Sequence, residues 1–341
     1  MDDVKFMRAA LREARRGAGH TSPNPAVGAV IVRGRRIVAR GFHRCAGKPH
    51  AEIEALAALK NPRLARGATL YVTLEPCSTQ GRTPPCVAAI LRQGFARVVI
   101  GTIDPNPAHA GRGVELLRAA GVEVVTGILE NECREMNAAF NKWIVTKMPF
   151  VIAKAALSLD GRLTRPPGEG QWLSHAASRA DAHRLRASVD AILVGAGTVR
   201  ADNPRLTVRG IPGARQPWRV ILAGRGPLAK SAHVFTDEFR DRTLVFRDRA
   251  LRAVLRDLGR KKITSVLIEG GGTVLGEAFD RRLVDRVHFY LAPFLCGGPN
   301  AIGGRGAAST AESLDLKNPR YTRLGDDLRM TAEVCSGRPS R

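Results

Sequence analysis

His50-Ala51-Glu52, Thr73-Leu74-Glu75-Pro76-Cys77 and Thr83-Pro84-Pro85-Cys86 hold the side chains in this chain best suited to chemistry. His50, Cys77 and Cys86 offer one imidazole and two thiols, three ligands for a tetrahedral Zn²⁺ with the fourth position left for water. Water on such a cation deprotonates near neutral pH and becomes a strong nucleophile. Glu52 lies two residues after the histidine, within reach of that water without being a ligand. A carboxylate so placed can take the water's proton and hand it to a leaving amine.

His-x-Glu followed by Pro-Cys and a second Cys is the signature of zinc-dependent nucleobase deaminases. The blander reading, two buried cysteines and a packed histidine, does not account for the glutamate and the proline in this order. The usual motif separates its cysteines by two residues, whereas Ser78 to Pro85 intervene here. Closure of that wider loop on one metal calls for Cys77 and Cys86 both near helix starts, where the positive helix end favours thiolate.

The surrounding periodicity supplies elements to position these groups. Asp3 to Arg16 reads as an amphipathic helix, with Phe6, Met7, Ala10, Leu11 and Ala14 on one stripe. Val27–Val32 and Ile37–Gly41 read as strands joined at Arg33-Gly34-Arg35-Arg36. Pro49 presets a helix whose first turn carries His50 and Glu52, and the strand Thr69–Leu74 delivers Cys77 at its carboxyl end. Helices at Val87–Gly94 and Gly111–Ala120 alternate with strands at Val98–Gly101 and Val122–Thr126, and one long helix is expected from Glu130 to Lys147, stopped by Pro149. This completes an α/β domain over residues 1–148. A second, residues 149–341, begins with the strand Phe150–Ala156. Helices at Ala176–Ala187 and Leu251–Gly259 follow, with strands at Ala191–Val194, Arg219–Ala223, Thr243–Phe246, Val266–Glu269 and Val287–Leu291, and a hairpin closes the domain between Leu316 and Val334.

At 341 residues and 44% apolar composition the chain suits two packed domains. Its net charge of +23 invites a nucleic-acid reading. Yet Lys and Arg outnumber Asp and Glu by 22 to 12 before residue 149 and by 32 to 19 after it, with no basic tail. Such an even, arginine-dominated excess suits a solvated surface and phosphorylated small molecules. Six sparse cysteines make a disulfide framework unexpected. No apolar run reaches membrane-spanning length, and the acidic opening Met1-Asp2-Asp3 lacks signal-peptide order, so a cytoplasmic protein is expected.

In the second half, Gly195-Ala196-Gly197-Thr198 and Gly270-Gly271-Gly272-Thr273 each follow an apolar strand and precede a helix. Glycine there lets backbone amides approach phosphates, and the helix start adds positive potential. Each turn alone is equally consistent with a tight connection that binds nothing. The residues by themselves reach a phosphate- or dinucleotide-binding α/β domain and no further.

The runs Thr21-Ser22-Pro23-Asn24-Pro25-Ala26-Val27-Gly28, His50-Ala51-Glu52, Thr73-Leu74-Glu75-Pro76-Cys77-Ser78, Gly81-Arg82-Thr83-Pro84-Pro85-Cys86 and Asp104-Pro105-Asn106-Pro107 closely resemble the bifunctional riboflavin-biosynthesis deaminase–reductase family. So do Ser158-Leu159-Asp160-Gly161, Gln171-Trp172, the stretch from Gly195 to Pro204 and Glu269-Gly270-Gly271, and the wide cysteine spacing is normal in that family. The resemblance implies a cytidine-deaminase-like three-layer α/β/α domain and a dihydrofolate-reductase-like α/β domain. It implies deamination of 2,5-diamino-6-(ribosylamino)pyrimidinone 5′-phosphate, then NADPH-dependent reduction of the ribosyl group to ribityl. Matched residue by residue, it gives His50, Cys77 and Cys86 to zinc, Glu52 to proton transfer, and Asn24 and His43 to the deaminase substrate. It gives Ala155, Trp172, Thr198, Asp202 and the turn Gly271, Gly272, Thr273, Val274, Leu275 to NADPH. Gly170, Arg186, Leu206, Arg209 and Glu269 go to the sugar phosphate, with Lys154 and Asp202 near the hydride-transfer centre. The sequence departs from the family at Thr79, where a His is common, at Gly170, where a Ser is common, and at Ala223-Gly224, which lacks the usual Asp-Ser/Thr. The expected partners are a phosphorylated pyrimidine and further copies of the same chain, with neither nucleic acid nor membrane. Two rival readings are a nucleic-acid-editing deaminase and a deaminase fused to a non-catalytic binding domain. The first predicts salt-steep nucleic-acid binding; the second predicts no NADPH oxidation.

Overall fold

The computed structural model describes residues 2–79, 84–163, 173–298 and 300–335. The chain divides into two compact units, Met1–Lys147 and Met148–Arg341.

The first unit opens with α1 (Asp3–Gly17), capped where the Asp2 carboxylate accepts from the Lys5 amide. There follow β1 (Gly28–Arg33), β2 (Arg36–Phe42), α2 (Ala51–Ala57), β3 (Thr69–Leu74), α3 (Cys86–Gln93), β4 (Arg97–Thr102), α4 (Arg112–Ala119), β5 (Glu123–Thr126), α5 (Glu130–Met136) and α6 (Ala138–Thr146). The strands form one sheet in the order β2-β1-β3-β4-β5, with β3, β4 and β5 parallel and β1 antiparallel to both its neighbours. Strand alternation sends Ala29, Ile31, Leu70, Val72, Val98 and Ile100 into a core with α2, α3 and α4. Val30, Val32, Tyr71 and Val99 point the other way, onto α1 and Cys133 of α5. The result is three layers. α2 lies directly on β2 because Gly41 has no side chain, and a Cβ there would sit 2.2 Å from the Ala55 nitrogen.

One expectation is corrected. The stretch from Glu130 to Lys147 is two helices, broken at Asn137. The Asn137 side chain is buried, accepts from the Ala26 amide at 2.8 Å and donates to the Ala26 carbonyl at 3.0 Å. Satisfying that distant backbone prevails over continuing the helix.

The second unit contains β6 (Phe150–Ser158), α7 (Ala176–Ala187), β7 (Ala191–Gly195), α8 (Ala196–Asp202), β8 (Trp218–Ala223), α9 (His233–Thr236), β9 (Thr243–Arg247), α10 (Leu251–Arg260), β10 (Ser265–Ile268), α11 (Gly272–Asp280), β11 (Arg286–Ala292), β12 (Leu316–Leu324) and β13 (Asp327–Val334). The sheet order is β12-β13-β11-β6-β10-β7-β8-β9. The six strands from β11 to β9 are parallel, and the hairpin β12–β13 is antiparallel on one side. Continuous apolar runs in β7, β8 and β10 fit strands covered on both faces. α10 and α11 cover one face, while residues of α7, α8 and α9 pack on the other. Among the described residues, no helix is long and apolar enough to cross a membrane.

Candidate active sites

In the first unit, β3 ends in Glu75-Pro76-Cys77, His50 caps α2, and Cys86 is the first residue of α3. These three short reaches bring His50, Cys77 and Cys86 together: one ligand atom from each lies within 4.8 Å of the others. His50 Nδ1 is 3.3 Å from Cys86 Sγ and 3.5 Å from Cys77 Sγ. Cys77 is not at a helix start, contrary to expectation. It follows a strand, and its sulfur instead accepts from the Cys86 amide at 3.4 Å. A hydrogen bond from the Cys86 thiol, with smaller contributions from His50 and this amide, holds the Cys77 thiol well below the ordinary thiol range. A borderline imidazole and two sulfurs converging so closely are a zinc donor set.

Glu52, on the first turn of α2, is 3% exposed. Burial lifts its carboxyl to about 7, against the opposing pull of His50. Asn24 and His43 sit beside this cluster. The His43 ring packs edge-on to His50 at 5.4 Å. His43 Nδ1 is 3.0 Å from the Pro49 carbonyl, which can only accept, so Nδ1 carries the hydrogen and Nε2 accepts from Asn24 Nδ2 at 3.1 Å. Burial, helped by His50, lowers the His43 pKa and keeps that tautomer neutral.

Sequence reasoning assigned no role to Glu75. Its buried carboxylate takes four backbone amides: Gly113 at 2.8 Å and Val114 at 3.2 Å on one oxygen, Gly111 at 3.0 Å and Asp104 at 3.1 Å on the other. This ties the start of α4 and the loop after β4 to the strand end that carries Cys77. A glutamate between an apolar strand and Pro-Cys was the available signal, but its partners lie 29 to 39 residues away.

The second unit holds an open cavity of about 880 Å³ at the carboxyl ends of its parallel strands. Ala155, Thr198, Asp202, Gly271, Gly272 and Thr273 line it. The two glycine-rich turns form one cradle: a Cβ on Gly270 would meet Val194 at 2.8 Å and the Thr198 hydroxyl at 3.1 Å, and one on Gly195 would meet Val274 at 3.0 Å. The bare backbone at the start of α11, facing this cavity, suits a phosphate-bearing cofactor. Three assigned residues do not line the cavity. Val274, Leu275 and Leu206 are buried in the apolar cores on the two faces of the sheet. Trp172 and Gly170 fall outside the described residues.

Arg186, Arg209 and Glu269 also line the cavity, together with Lys154, His183 and Tyr290. Arg186 and Glu269 grip each other in two parallel bonds of 2.7 Å, Nε to Oε1 and Nη2 to Oε2. Burial would raise the Glu269 carboxyl, but Arg186 and then Lys154, 4.0 Å away, overcome it and hold the group at about 2. Burial lowers Lys154, with Glu269 opposing. Burial together with Arg186 and Arg209 holds His183 down to about 4, and its Nδ1 accepts from the Arg209 amide. Burial and two nearby guanidinium groups thus keep this imidazole neutral, against the pull of Glu269. Behind it, Tyr290 donates at 2.9 Å to the buried Asp181, which also takes Arg329. Sequence periodicity gave no hint of that pair.

Known proteins bear on both units. Residues 1–102 match the family described as the cytidine and deoxycytidylate deaminase zinc-binding region, and residues 149–330 match the RibD C-terminal domain. The riboflavin biosynthesis protein RibD of Aquifex aeolicus is 40% identical over 346 residues, 96% of this chain and 97% of that one. Its counterpart from Bacillus amyloliquefaciens is 41% identical over 354 residues, 96% and 95% of the two chains. The chain belongs to the RibD family. RibD from Acinetobacter baumannii superposes with a TM-score of 0.89 at 36% identity, over 98% of this chain and 99% of that one. A Thermotoga maritima structure matches equally, with a TM-score of 0.89, 37% identity and the same coverage. It is described as a diaminohydroxyphosphoribosylaminopyrimidine deaminase/5-amino-6-(5-phosphoribosylamino)uracil reductase. As a RibD, the chain is a bifunctional enzyme of riboflavin biosynthesis, a zinc-dependent deaminase and an NADPH-dependent reductase.

Proposed function

We propose that residues 1–148 deaminate 2,5-diamino-6-(ribosylamino)pyrimidinone 5′-phosphate and that residues 149–341 reduce the resulting 5-amino-6-(5-phosphoribosylamino)uracil. The observation that carries the first assignment is the convergence of His50, Cys77 and Cys86 beside a buried Glu52. Those three residues would hold the zinc, which when bound would supply the Lewis acidity that makes water nucleophilic at neutral pH. Glu52 takes the proton of the attacking water and delivers it to the exocyclic nitrogen, which leaves as ammonia while the ring carbon gains an oxygen. A carboxyl poised at about 7 can perform both halves of that transfer. Asn24, oriented by neutral His43, supplies a fixed amide to the pyrimidine.

In the second unit the cavity residues would hold NADPH, which when bound would supply the hydride that, with one proton, turns the ribosyl group into ribityl. The start of α11 and the turn at Thr198 would seat the cofactor's phosphates, with Ala155 and Asp202, which line the same cavity, beside it. Arg209 faces the sugar phosphate, while the Arg186–Glu269 pair presents a fixed polar wall. A cytoplasmic location and assembly with further copies of the chain complete the reading. The latter is supported by β12, an edge strand exposed along most of its length, and light scattering of the purified protein measures it.

The deciding experiment combines metal analysis with ammonia release from the ribosylaminopyrimidine phosphate. Stoichiometric zinc is expected in the wild type and in Glu52→Gln, with ammonia release reduced at least about 10²-fold in the variant. Zinc loss in Glu52→Gln would assign the glutamate to the metal instead of the proton.

A further inference from the structure

We infer that Arg200, Arg225 and Arg247 seat the 2′-phosphate of NADPH and set the preference for NADPH over NADH; this rests on the reductase reading above. The sheet runs β10-β7-β8-β9 with all four strands parallel, so the carboxyl end of β8 lies next to the cradle at the end of β7. Dinucleotides bind across such strand ends, and the residue met by the adenosine ribose distinguishes the two coenzymes. A carboxylate there accepts from a free 2′-hydroxyl, and an arginine accommodates a 2′-phosphate.

β8 ends Leu222-Ala223-Gly224-Arg225, without an acid. Two elements send guanidinium groups to this loop, and Arg225 adds a third from the loop itself. Arg200 sits on α8, whose Thr198, Ala201 and Asp202 line the cofactor cavity, and its Nη1 is 3.5 Å from the Pro227 carbonyl. Arg247, the last residue of β9, donates from Nη1 to the neighbouring Gly226 carbonyl at 3.3 Å. Arg225 is 94% exposed along its side chain, with Nε 3.8 Å from the partly exposed Asp248. At Gly224 a Cβ would meet nothing nearer than Asp248 Oδ1 at 4.0 Å, so the space beside these groups is open.

The contrast with neighbouring arginines makes the case. Arg219 is buried and saturated by Asp237, Thr243 and the carbonyls of Arg205 and Val234, and Arg249 is held by Asp257 at 2.7 Å. Those two brace the fold. Arg200 and Arg247 each spend one N–H on a long bond to a backbone carbonyl, out of the five a guanidinium carries. Three cations bordering an open loop at the strand end, where one carboxylate, Asp248, lies 3.8 Å from Arg225, fit a phosphate monoester dianion.

The test uses the full-length enzyme with Arg200→Ala, Arg225→Ala and Arg247→Ala. The readouts are kcat/KM with NADPH and with NADH, and calorimetric binding of 2′,5′-ADP. Loss of one charge-assisted contact should lower kcat/KM for NADPH by about 10–100-fold, through KM, and weaken 2′,5′-ADP to match. The NADH value, whose ribose carries no phosphate, should move less than about 2-fold on the same argument. Equal losses with both coenzymes, or no change with either, would overturn the proposal. If the wild type oxidises no NADPH yet binds 2′,5′-ADP in an Arg225-dependent way, the reductase reading fails and the phosphate seat stands. If 2′,5′-ADP binding is indifferent to all three changes, the seat is elsewhere.

Discussion

Glu75→Gln tests whether the first site is held together by one carboxylate. The substitution keeps shape and volume, so no cavity is created. What changes is acceptor capacity. The carboxylate accepts two amides on each oxygen, from Gly113 and Val114 and from Gly111 and Asp104. An amide side chain can serve one of these pairs through its oxygen and turns its own N–H donors toward the other. Two buried N–H groups then lose their partner, at about 1–3 kcal/mol each. The retained pair also loses charge assistance. The expected destabilisation of the first unit is about 4 kcal/mol, a large part of the ~5–15 kcal/mol typical of a domain. Urea unfolding read by hydrogen exchange of peptides spanning 69–79 and 98–126, against peptides of residues 218–268, separates the two units. Zinc should leave the variant at lower urea, since Cys77 follows two residues later. A change under about 1 kcal/mol, or equal loss in both units, would refute the claim that these amides depend on Glu75.

Asn137→Ala leaves the buried N–H and C=O of Ala26 without partners, and the first unit should lose about 2–4 kcal/mol in the same exchange assay. A fused, undestabilised helix from residue 130 to 146 would show that the break has another cause. In the second unit, Glu269 titrates at about 2 when folded, below its ordinary 4.5. Its contribution is therefore complete above pH 4.5 and fades as pH falls from there toward 2. The stability gap between wild type and Glu269→Gln should shrink by about 2 kcal/mol from pH 5 to pH 3, and a gap indifferent to pH would contradict the Arg186 pairing.

Chemistry written in contiguous residues was legible in the sequence, and chemistry made by distant pairing was not. His50, Glu52, Cys77 and Cys86 could be picked out because each sits at the end of an element whose period announces it. The layers followed from the alternation of Ala29 and Ile31 against Val30 and Val32. Helix periodicity from Glu130 to Lys147 gave no sign that Asn137 would turn to Ala26, 111 residues earlier. Nor could composition say that Arg186 would be spent on Glu269, 83 residues on, leaving Arg209 to face the cavity. Leu206, Val274 and Leu275 were matched to ligands by motif position, yet side-chain burial sends them into the core. A motif locates a segment of backbone, and packing decides which of its side chains face the ligand.

The two buried glutamates show how environment divides labour between identical groups. Glu52 is 3% exposed and the side chain of Glu269 5%, and desolvation pushes both carboxyls upward. At Glu52 an imidazole, a backbone amide and the Cys86 thiol oppose that push without reversing it, and the group settles near 7, where gaining and losing a proton cost nearly the same. At Glu269 a bidentate guanidinium and a nearby ammonium reverse it, and the group stays charged throughout the working range. A proton carrier must be easy to titrate, and a clamp must not be. The same side chain meets opposite requirements because one site withholds an arginine and the other supplies it.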